Sequence, residues 1–305
     1  MAESLVEKIN KLKKKHNAVI LVHNYQIGEV QDIADYTGDS LGLSIQAAKT
    51  KAEVIVFCGV NFMAETAKII SPDKKVIMPD PTAGCPMAEM ITAKALKELK
   101  AQNPKAKVVC YVNSGADIKA ESDICCTSAN AVQIVQSIKE PGIIFVPDKF
   151  LGHYVSTKVP EKKIILWPGY CPTHAKILPE HVQRVKDKYP EALVMVHPEC
   201  RPETIALADQ VLSTGGMLKF AKESKHKEFI IGTEIGIIHT LRKDNPDKMF
   251  HPVSEIAICP NMKLTTLEKV LWSLEELKTE VTVPAEIANK AKLAIERMLG
   301  IGRGD

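Results

Sequence analysis

The stretch Gly84-Cys85-Pro86-Met87 contains a dipeptide that recurs along the chain at nearly equal intervals. Cys-Pro is found three times, at Cys85, Cys171 and Cys259, and the intervals are 86 and 88 residues. None of the other five cysteines is followed by proline. Evenly spaced cysteines with the same flank predict three copies of one unit, each ending in a metal or redox ligand.

Each of these cysteines lies in a comparable sequence context. A continuous apolar segment with a polar end comes first, followed by a hydroxyl-bearing turn, a second apolar segment and the cysteine loop. The matched apolar segments are 19–25, 108–114 and 193–199, and then 54–58, 143–146 and 229–231. Such strands alternating with helical patterns predict parallel sheets with right-handed crossovers. We therefore expect an α/β fold of three similar αβα units, arranged with pseudo-threefold symmetry around a central site at which the three cysteines meet.

The repeat also predicts where the units begin and end. At 305 residues the chain exceeds the size at which a single hydrophobic core keeps growing. We expect a helix over 1–16, unit one over 17–103, unit two over 104–189 and unit three over 190–278. Residues 279–305 are expected to form a C-terminal helix that packs back on the body.

Composition and charge argue against several classes of protein. The net charge of +3 is too small to indicate nucleic-acid binding. No apolar run approaches the roughly 18 residues of a membrane-spanning helix, and the polar N-terminus does not resemble a signal peptide. We therefore expect a cytoplasmic protein. In that compartment eight cysteines favour metal or redox chemistry over disulfides.

Three cysteines from three distant loops predict an open metal site. Thiolates select zinc, copper or iron–sulfur clusters, and a closed structural zinc site normally has four protein ligands. A [4Fe–4S] cluster usually takes four cysteines, so a cluster held by three leaves one iron free as a Lewis acid. The Cys-Pro flank also occurs in bacterial ferredoxins. The alternative is a zinc ion held by three cysteines and a water.

Polar side chains follow the first strand of each unit, at the edge where parallel sheets bind their ligands. Tyr25 and Glu199 occupy matching positions in units one and three, and they are the best acid–base candidates because one can donate while the other accepts. His23 and His197 also match, and we interpret both as site residues. Asn113 stands at the corresponding strand end in unit two.

Hydroxyl side chains stand at three expected helix starts. Ser40, Ser128 and Thr214 either cap these helices or belong to an anion site, because a helix N-terminus offers free N–H groups and a favourable dipole. If the three starts converge, they favour a substrate that carries carboxylates or phosphate.

Longer motifs extend the pattern over most of the chain. They include His23-Asn-Tyr-Gln26, Gly38-Asp-Ser40, Gly59-Val-Asn-Phe-Met-Ala-Glu65, Tyr111-Val-Asn-Ser114, Cys126-Thr-Ser-Ala-Asn130, His197-Pro-Glu-Cys200, Ser213-Thr-Gly215, Gly232-Thr-Glu-Ile-Gly236 and Asn261-Met-Lys263. On these motifs the chain, over about residues 5–300, resembles the NadA-type quinolinate synthases of de novo NAD biosynthesis. Members of that family have a pseudo-threefold fold around a [4Fe–4S] cluster held by three cysteines.

The resemblance implies a reaction and a cofactor. Iminoaspartate would condense with dihydroxyacetone phosphate to give quinolinate, with loss of phosphate and two waters. One [4Fe–4S] cluster per chain would be held by Cys85, Cys171 and Cys259, and its open iron would act as a Lewis acid. The partners implied are small anionic substrates, with functional coupling to an aspartate-oxidising enzyme and no nucleic acid or membrane.

The resemblance also implies roles for individual side chains. Tyr25, Glu199 and His23 would be catalytic. The carboxylates and the phosphate of the substrates would be held by His23, Ser40, Tyr111, Asn113, Ser128, His197, Glu199 and Thr214.

Two other hypotheses stay open on the sequence alone. One is a hydrolase with a zinc ion on the three cysteines, which would be colourless and active in air. The other is a non-catalytic protein in which a saturated cluster serves as a redox sensor or a structural staple. In that case replacing Tyr25 with phenylalanine would change nothing except stability.

Overall fold

In the computed structural model, which describes residues 3–305, the strands form three four-stranded sheets. Every strand pair in these sheets is parallel. In each sheet the order is second strand, first strand, third strand and fourth strand of the unit. The expected α/β class, with parallel sheets in three similar units, is confirmed.

The first sheet is built from the N-terminal part of the chain. Its strands are β1 (Ala18–His23), β2 (Tyr36–Gly38), β3 (Val54–Cys58) and β4 (Lys75–Ile77). The helices of this part are α1 (Leu5–Lys15), α2 (Gly28–Asp32), α3 (Ser40–Lys49), α4 (Asn61–Ile70) and α5 (Ala93–Gln102). The first two residues of the helix expected over 1–16 lie outside the described part of the chain. The observed helix begins after Ser4, whose hydroxyl accepts the N–H of Glu7 in a capping box.

The second and third sheets repeat this order of elements. The second has β5 (Lys107–Tyr111), β6 (Ile124–Cys126), β7 (Gly142–Val146) and β8 (Lys163–Leu166), with α6 (Ala116–Ala120), α7 (Ala131–Ser137), α8 (Lys149–Lys158), α9 (Pro172–Ala175) and α10 (Pro179–Lys188). The third has β9 (Leu193–Val196), β10 (Gln210–Val211), β11 (Glu228–Gly232) and β12 (Met249–Pro252), with α11 (Pro202–Ile205), α12 (Thr214–Glu223) and α13 (Ile237–Asp244).

A matched aspartate ties the first two strands of every unit. Its carboxylate accepts a 2.8 Å hydrogen bond from a backbone N–H of the unit's first strand, and the carbonyl of that same residue accepts the aspartate's own N–H. The pairs are Ile20–Asp35, Val108–Asp123 and Val194–Asp209. Each aspartate therefore fixes the register at the start of its unit, and the repeat extends to single side-chain contacts.

The central strands of the sheets are apolar without interruption because helices cover both of their faces. All five residues of β3 are buried, and β7 is buried over its last four residues. Two further helices, α14 (Leu267–Glu276) and α15 (Ala285–Ile301), follow the third sheet. The former packs on α1 and β3, and the latter packs on α4, α6 and β6. The unit boundaries at 103, 189 and 278 stay a prediction.

The helices of residues 3–305 do not resemble membrane-spanning helices. None of them combines the length and the apolar character that a membrane crossing would require.

Candidate active site

One cavity lies at the carboxyl ends of strands from all three sheets. It measures about 70 Å³, well below the roughly 300–1,000 Å³ of ordinary ligand pockets, so the site is nearly closed in this structure. Its lining contains every side chain that the sequence singled out: His23, Tyr25, Ser40, Cys85, Tyr111, Asn113, Ser128, Cys171, His197, Glu199, Thr214 and Cys259. Their roles in binding and catalysis stay predictions.

The hydroxyl side chains at the cavity are not the helix caps. Asp39 caps α3 by accepting the N–H of Gly42 at 2.8 Å, and Ser213 caps α12 by accepting the N–H of Gly216 at 3.1 Å. Ser40 and Thr214 are the first residues of these helices. Because the capping falls to their neighbours, both hydroxyls are available to the cavity.

Two histidines have the same local geometry in units one and three. Nδ1 of His23 accepts the N–H of Tyr25 at 3.1 Å, and Nδ1 of His197 accepts the N–H of Glu199 at 3.3 Å. The bond at His23 places its ring proton on Nε2. Nδ1 of His197 also lies 3.3 Å from Oε2 of Glu199, and its Nε2 lies 3.2 Å from Oγ of Ser128. Burial lowers the pKa of both rings to about 3. Both histidines are therefore neutral hydrogen-bond donors at neutral pH.

A relay of hydrogen bonds joins the two acid–base candidates. Nδ1 of His174 lies 2.8 Å from Oε2 of Glu199, and its Nε2 lies 2.8 Å from Oγ1 of Thr233. The same threonine oxygen is 2.5 Å from the hydroxyl of Tyr25. A carboxylate only accepts, so Nδ1 of His174 carries the proton. The hydrogen bonds of the relay then all point in one direction: Tyr25 donates to Thr233, Thr233 donates to His174, and His174 donates to Glu199.

The charge states suit the two ends of this relay. Burial alone would raise the pKa of Glu199, but the adjacent imidazole of His174 and the hydrogen bond that it donates outweigh burial and lower it. Burial and the charge of Glu199 raise the pKa of Tyr25 well above its ordinary value. At neutral pH Glu199 is therefore an anionic acceptor and Tyr25 is a protonated donor.

The sequence interpretation missed both inner members of the relay. His174 is three residues after Cys171, in the short helix α9, and Thr233 directly follows β11. The signal was present, because Thr233 and Glu234 lie in the Gly232–Gly236 motif and His174 follows a Cys-Pro pair. Neither residue has a counterpart in the other two units, so the repeat did not single it out.

The three Cys-Pro cysteines line the cavity with the same local turn. Backbone N–H groups two or three residues later favour the thiolate form of each sulfur and oppose the rise in its pKa: those of Met87 and Ala88 at Cys85, His174 at Cys171, and Asn261 and Met262 at Cys259. Hydrogen bonds from backbone N–H groups stabilise thiolates that hold a cluster. The donor set therefore fits a [4Fe–4S] cluster.

Burial of the three cavity thiols also indicates a bound metal centre. It raises the pKa of Cys85 to about 12, and it also raises the pKa of Cys171 and of Cys259. A buried thiolate needs a compensating positive charge, which a bound metal centre supplies. All eight cysteines are free, and the other five are buried and do not line the cavity.

A second donor set lies in the same cavity. Ligand atoms of Cys171, His174 and Glu199 all lie within 4.8 Å of one another. His174 is already bonded on both ring nitrogens, to Glu199 and to Thr233. A metal ion on this set would break that relay, whereas a cluster on the three Cys-Pro cysteines leaves its bonds in place.

A fully buried carboxylate, paired with the partly exposed Lys263, connects the Cys259 loop to the strand end that carries Tyr25. Glu234 is fully buried, and its Oε1 accepts the N–H of Cys259 at 3.1 Å and Nζ of Lys263 at 2.9 Å. Lys263 also donates to the carbonyl of Tyr25, and Oε2 of Glu234 accepts the N–H of Gly236 at 2.7 Å. One carboxylate therefore positions an expected cluster ligand and, through Lys263, the backbone of Tyr25.

Replacing Glu234 with glutamine should destabilise the protein by about 1–3 kcal/mol, because Lys263, whose side chain is only 22% exposed, would lose its anionic partner. Urea unfolding of the anaerobic protein measures this change. Glu255→Gln is the matched control, since Glu255 is exposed and its loss should cost less than about 0.5 kcal/mol. Equal stability of the two variants would contradict the role given to this ion pair.

The fold and the cavity define an α/β enzyme class in which three parallel sheets bring three thiols and an acid–base relay to one site. The family model described as "Quinolinate synthetase A protein" matches residues 7–300. The chain belongs to this family of enzymes.

Curated relatives agree over their full length. A protein named quinolinate synthase from Dehalococcoides mccartyi (strain CBDB1) is 59% identical over 299 residues, which is 98% of this chain and 99% of that protein. Relatives with the same name from Pelobacter propionicus and Methanosarcina barkeri are each 56% identical, and cover 99% and 97% of this chain. They span 100% and 97% of their own lengths in these matches.

Proposed function

We propose that this chain synthesises quinolinate from iminoaspartate and dihydroxyacetone phosphate, with release of phosphate and two waters. The observation that carries the proposal is the hydrogen-bonded relay from Tyr25 to Glu199 inside a cavity lined by three thiols. The printed name of the full-length relatives supports the same reaction. Condensation and two dehydrations need a proton donor and a proton acceptor within one site.

Cys85, Cys171 and Cys259 would hold one [4Fe–4S] cluster per chain. When bound, such a cluster supplies an open iron that can polarise a substrate oxygen or nitrogen as a Lewis acid. We further propose that the three units, over 17–103, 104–189 and 190–278, are related by a pseudo-threefold axis through this site. The equal strand order of the three sheets supports this arrangement.

The cavity offers several groups that would bind carboxylates and phosphate. Ser40 and Thr214 begin helices, where free N–H groups and the dipole favour anions. His23 and His197 are neutral imidazoles, and His23 offers an N–H donor on Nε2, so neither needs a change of charge when the anion leaves. Together with Tyr111, Asn113 and Ser128, these groups surround the cavity with hydrogen-bonding side chains. A substrate pair with carboxylates and a phosphate matches that lining.

The relay gives the proton transfers a direction. Glu199 would accept a proton from substrate carbon or nitrogen, because its carboxylate is ionised and Oε1 has no protein partner although it is buried. Tyr25 would donate to a leaving hydroxyl or to a developing oxyanion. Thr233 and His174 join the two ends, and for a proton taken up at Glu199 to return to Tyr25 the donor and the acceptor of every bond in the relay must exchange.

The proposal also includes the setting of the reaction. We propose a cytoplasmic enzyme, in keeping with eight free cysteines. Its iminoaspartate must come from an enzyme that oxidises aspartate to the imine, and functional coupling to such an enzyme would shorten the lifetime of the imine in water.

Anaerobic purification followed by visible and Mössbauer spectroscopy, with and without quinolinate, tests the proposal. We expect a brown [4Fe–4S] protein in which quinolinate shifts the signal of one iron, and quinolinate formation from the two substrates. A colourless protein that contains zinc would favour the hydrolase hypothesis. A cluster with no quinolinate-sensitive iron would favour the sensor or staple hypothesis.

A further inference from the structure

The segment 302–305, which follows α15, crosses from unit two to helix starts of the other two units. The helix ends at Gly302, whose φ of +77° is a left-handed conformation that favours glycine and turns the chain. The carbonyl of Gly302 accepts Nδ2 of Asn130 at 2.8 Å, and the N–H of Gly304 donates to the carbonyl of Ala129 at 2.9 Å. These contacts fix the segment beside the start of α7.

Two charged side chains then reach α3 and α12. The guanidinium of Arg303 donates from Nη1 to Oδ2 of Asp39 at 2.8 Å, and its Nη2 contacts the same carboxylate and Oγ of Ser213. Oδ2 of Asp305 accepts the N–H of Ser213 at 2.9 Å. The segment therefore binds the N-cap residues of both helices.

Three of the residues contacted in this way are each next to a cavity hydroxyl. Asp39 precedes Ser40, Ala129 follows Ser128, and Ser213 precedes Thr214. These three hydroxyls come from three different sheets and line one cavity. The segment thus lies behind the lining and contacts residues of all three units.

Two glycines of the third unit leave room for this segment. A Cβ on Gly215 would collide with the guanidinium of Arg303 and with Oδ2 of Asp39, and a Cβ on Gly216 would come within 2.5 Å of Oδ2 of Asp305. Glycine costs about 1 kcal/mol relative to alanine inside a helix. The two glycines therefore leave space for the segment, although they lower the helix propensity of α12.

Arg303 also compensates a charge at the anion-binding end of the cavity. Asp39 lines the cavity and its side chain is only 9% exposed, while Arg303 is its ion-pair partner. An unpaired carboxylate at this position would repel the carboxylates and the phosphate of the substrates. With Arg303 in place the charge is balanced, and the hydroxyl of the neighbouring Ser40 can bind an anion.

We propose that residues 302–305 form a strap that closes the cavity by tying the three units together, and that Arg303 is its positioning residue. The cavity measures only about 70 Å³ in this structure, so release of the strap would let the units separate and give substrates room to enter and quinolinate room to leave. This inference rests on the proposed function only where substrates are concerned.

Two variants test the strap without altering a group that contacts substrate. One lacks residues 302–305, and the other is Gly215→Ala, which displaces Arg303 together with the Asp39 carboxylate that it binds. Arg297→Ala is the control, because Arg297 lies on α15, the helix that precedes the strap, and its side chain bonds the carbonyl of Asp123. Amide hydrogen exchange is measured in the protein without substrate, and KM for dihydroxyacetone phosphate is measured separately from kcat.

We expect the amide of Ser213 to exchange about tenfold faster or more in both variants, because loss of charge-assisted hydrogen bonds changes an opening equilibrium by about tenfold to a hundredfold. KM should rise by a similar factor with kcat nearly unchanged. Arg303→Lys should change KM and exchange less than Arg303→Ala does, since lysine keeps the charge but loses the bidentate geometry. Adding Gly215→Ala to Arg303→Ala should have little further effect.

Two results would contradict the proposal that residues 302–305 act as a strap. One is wild-type exchange and wild-type KM in both variants. The other is a fall in kcat with KM unchanged. Should the wild-type protein form no quinolinate, the proposed function fails, and hydrogen exchange still decides whether the strap holds the helix starts.

Discussion

Replacing Cys171 with alanine should abolish both quinolinate formation and the visible absorbance of the anaerobically purified protein. Cys171 is one of three cavity cysteines, and the backbone N–H of His174 favours the thiolate form of its sulfur. With two thiolates left, the site cannot hold the cluster with the open iron on which the proposed reaction depends. Iron and sulfide analysis, together with the visible spectrum, measures the loss directly. Cys85→Ala and Cys259→Ala should behave in the same way.

The matched control is Cys58→Ala. Cys58 ends β3, is fully buried and belongs to the apolar cluster that includes residues of α1 and α14, so it does not face the cavity. This variant should lose some stability through a small core cavity and keep its cluster and its turnover. If single replacements at all three cavity cysteines left the cluster intact, the assignment of the ligands would be refuted.

The repeat could be predicted from the sequence because each copy must solve the same physical problem. Continuous apolar strands between helical patterns indicate buried parallel sheets, and the Cys-Pro spacing sets the length of a unit. The polar residues after each first strand were predictable for the same reason, since parallel strands present their carboxyl ends at one edge. Tyr25 and Glu199 were found through their matching positions, and the cavity contains both.

Contacts made by one unit alone could not be predicted in this way. His174 and Thr233 acquire their part in the relay only when α9 of one unit meets the end of β11 of another. The pair of Glu234 and Lys263 is a similar case, because its members were visible as motif residues whose contacts depend on how distant loops meet. The hydroxyl residues were located correctly, but their neighbours Asp39 and Ser213 are the N-caps. Local sequence cannot decide which of two adjacent polar residues caps a helix and which faces a ligand.

Replacing Glu199 with glutamine should reduce kcat by about 10²–10⁴-fold, the usual contribution of general acid–base catalysis. Glutamine has nearly the same shape, and its amide oxygen can still accept Nδ1–H of His174. It carries no negative charge, so it cannot take up a proton at the end of the relay. Cluster content should stay at the wild-type level, because Glu199 is not one of the three thiols, and the visible spectrum separates this effect from loss of the cofactor.

The relay also predicts how the effects of two substitutions on turnover combine. Thr233→Val removes the hydroxyl between Tyr25 and His174 and leaves only their direct contact of 3.3 Å. Glu199→Gln with Thr233→Val should therefore be little slower than Glu199→Gln alone, because groups that act as one unit are non-additive. Glu203→Gln is the control, since Glu203 is exposed and four residues away. Near-normal turnover of Glu199→Gln would remove Glu199 from the mechanism. Fully multiplicative losses would show that Glu199 and Thr233 act independently, and the relay would then be a structural hydrogen-bond network.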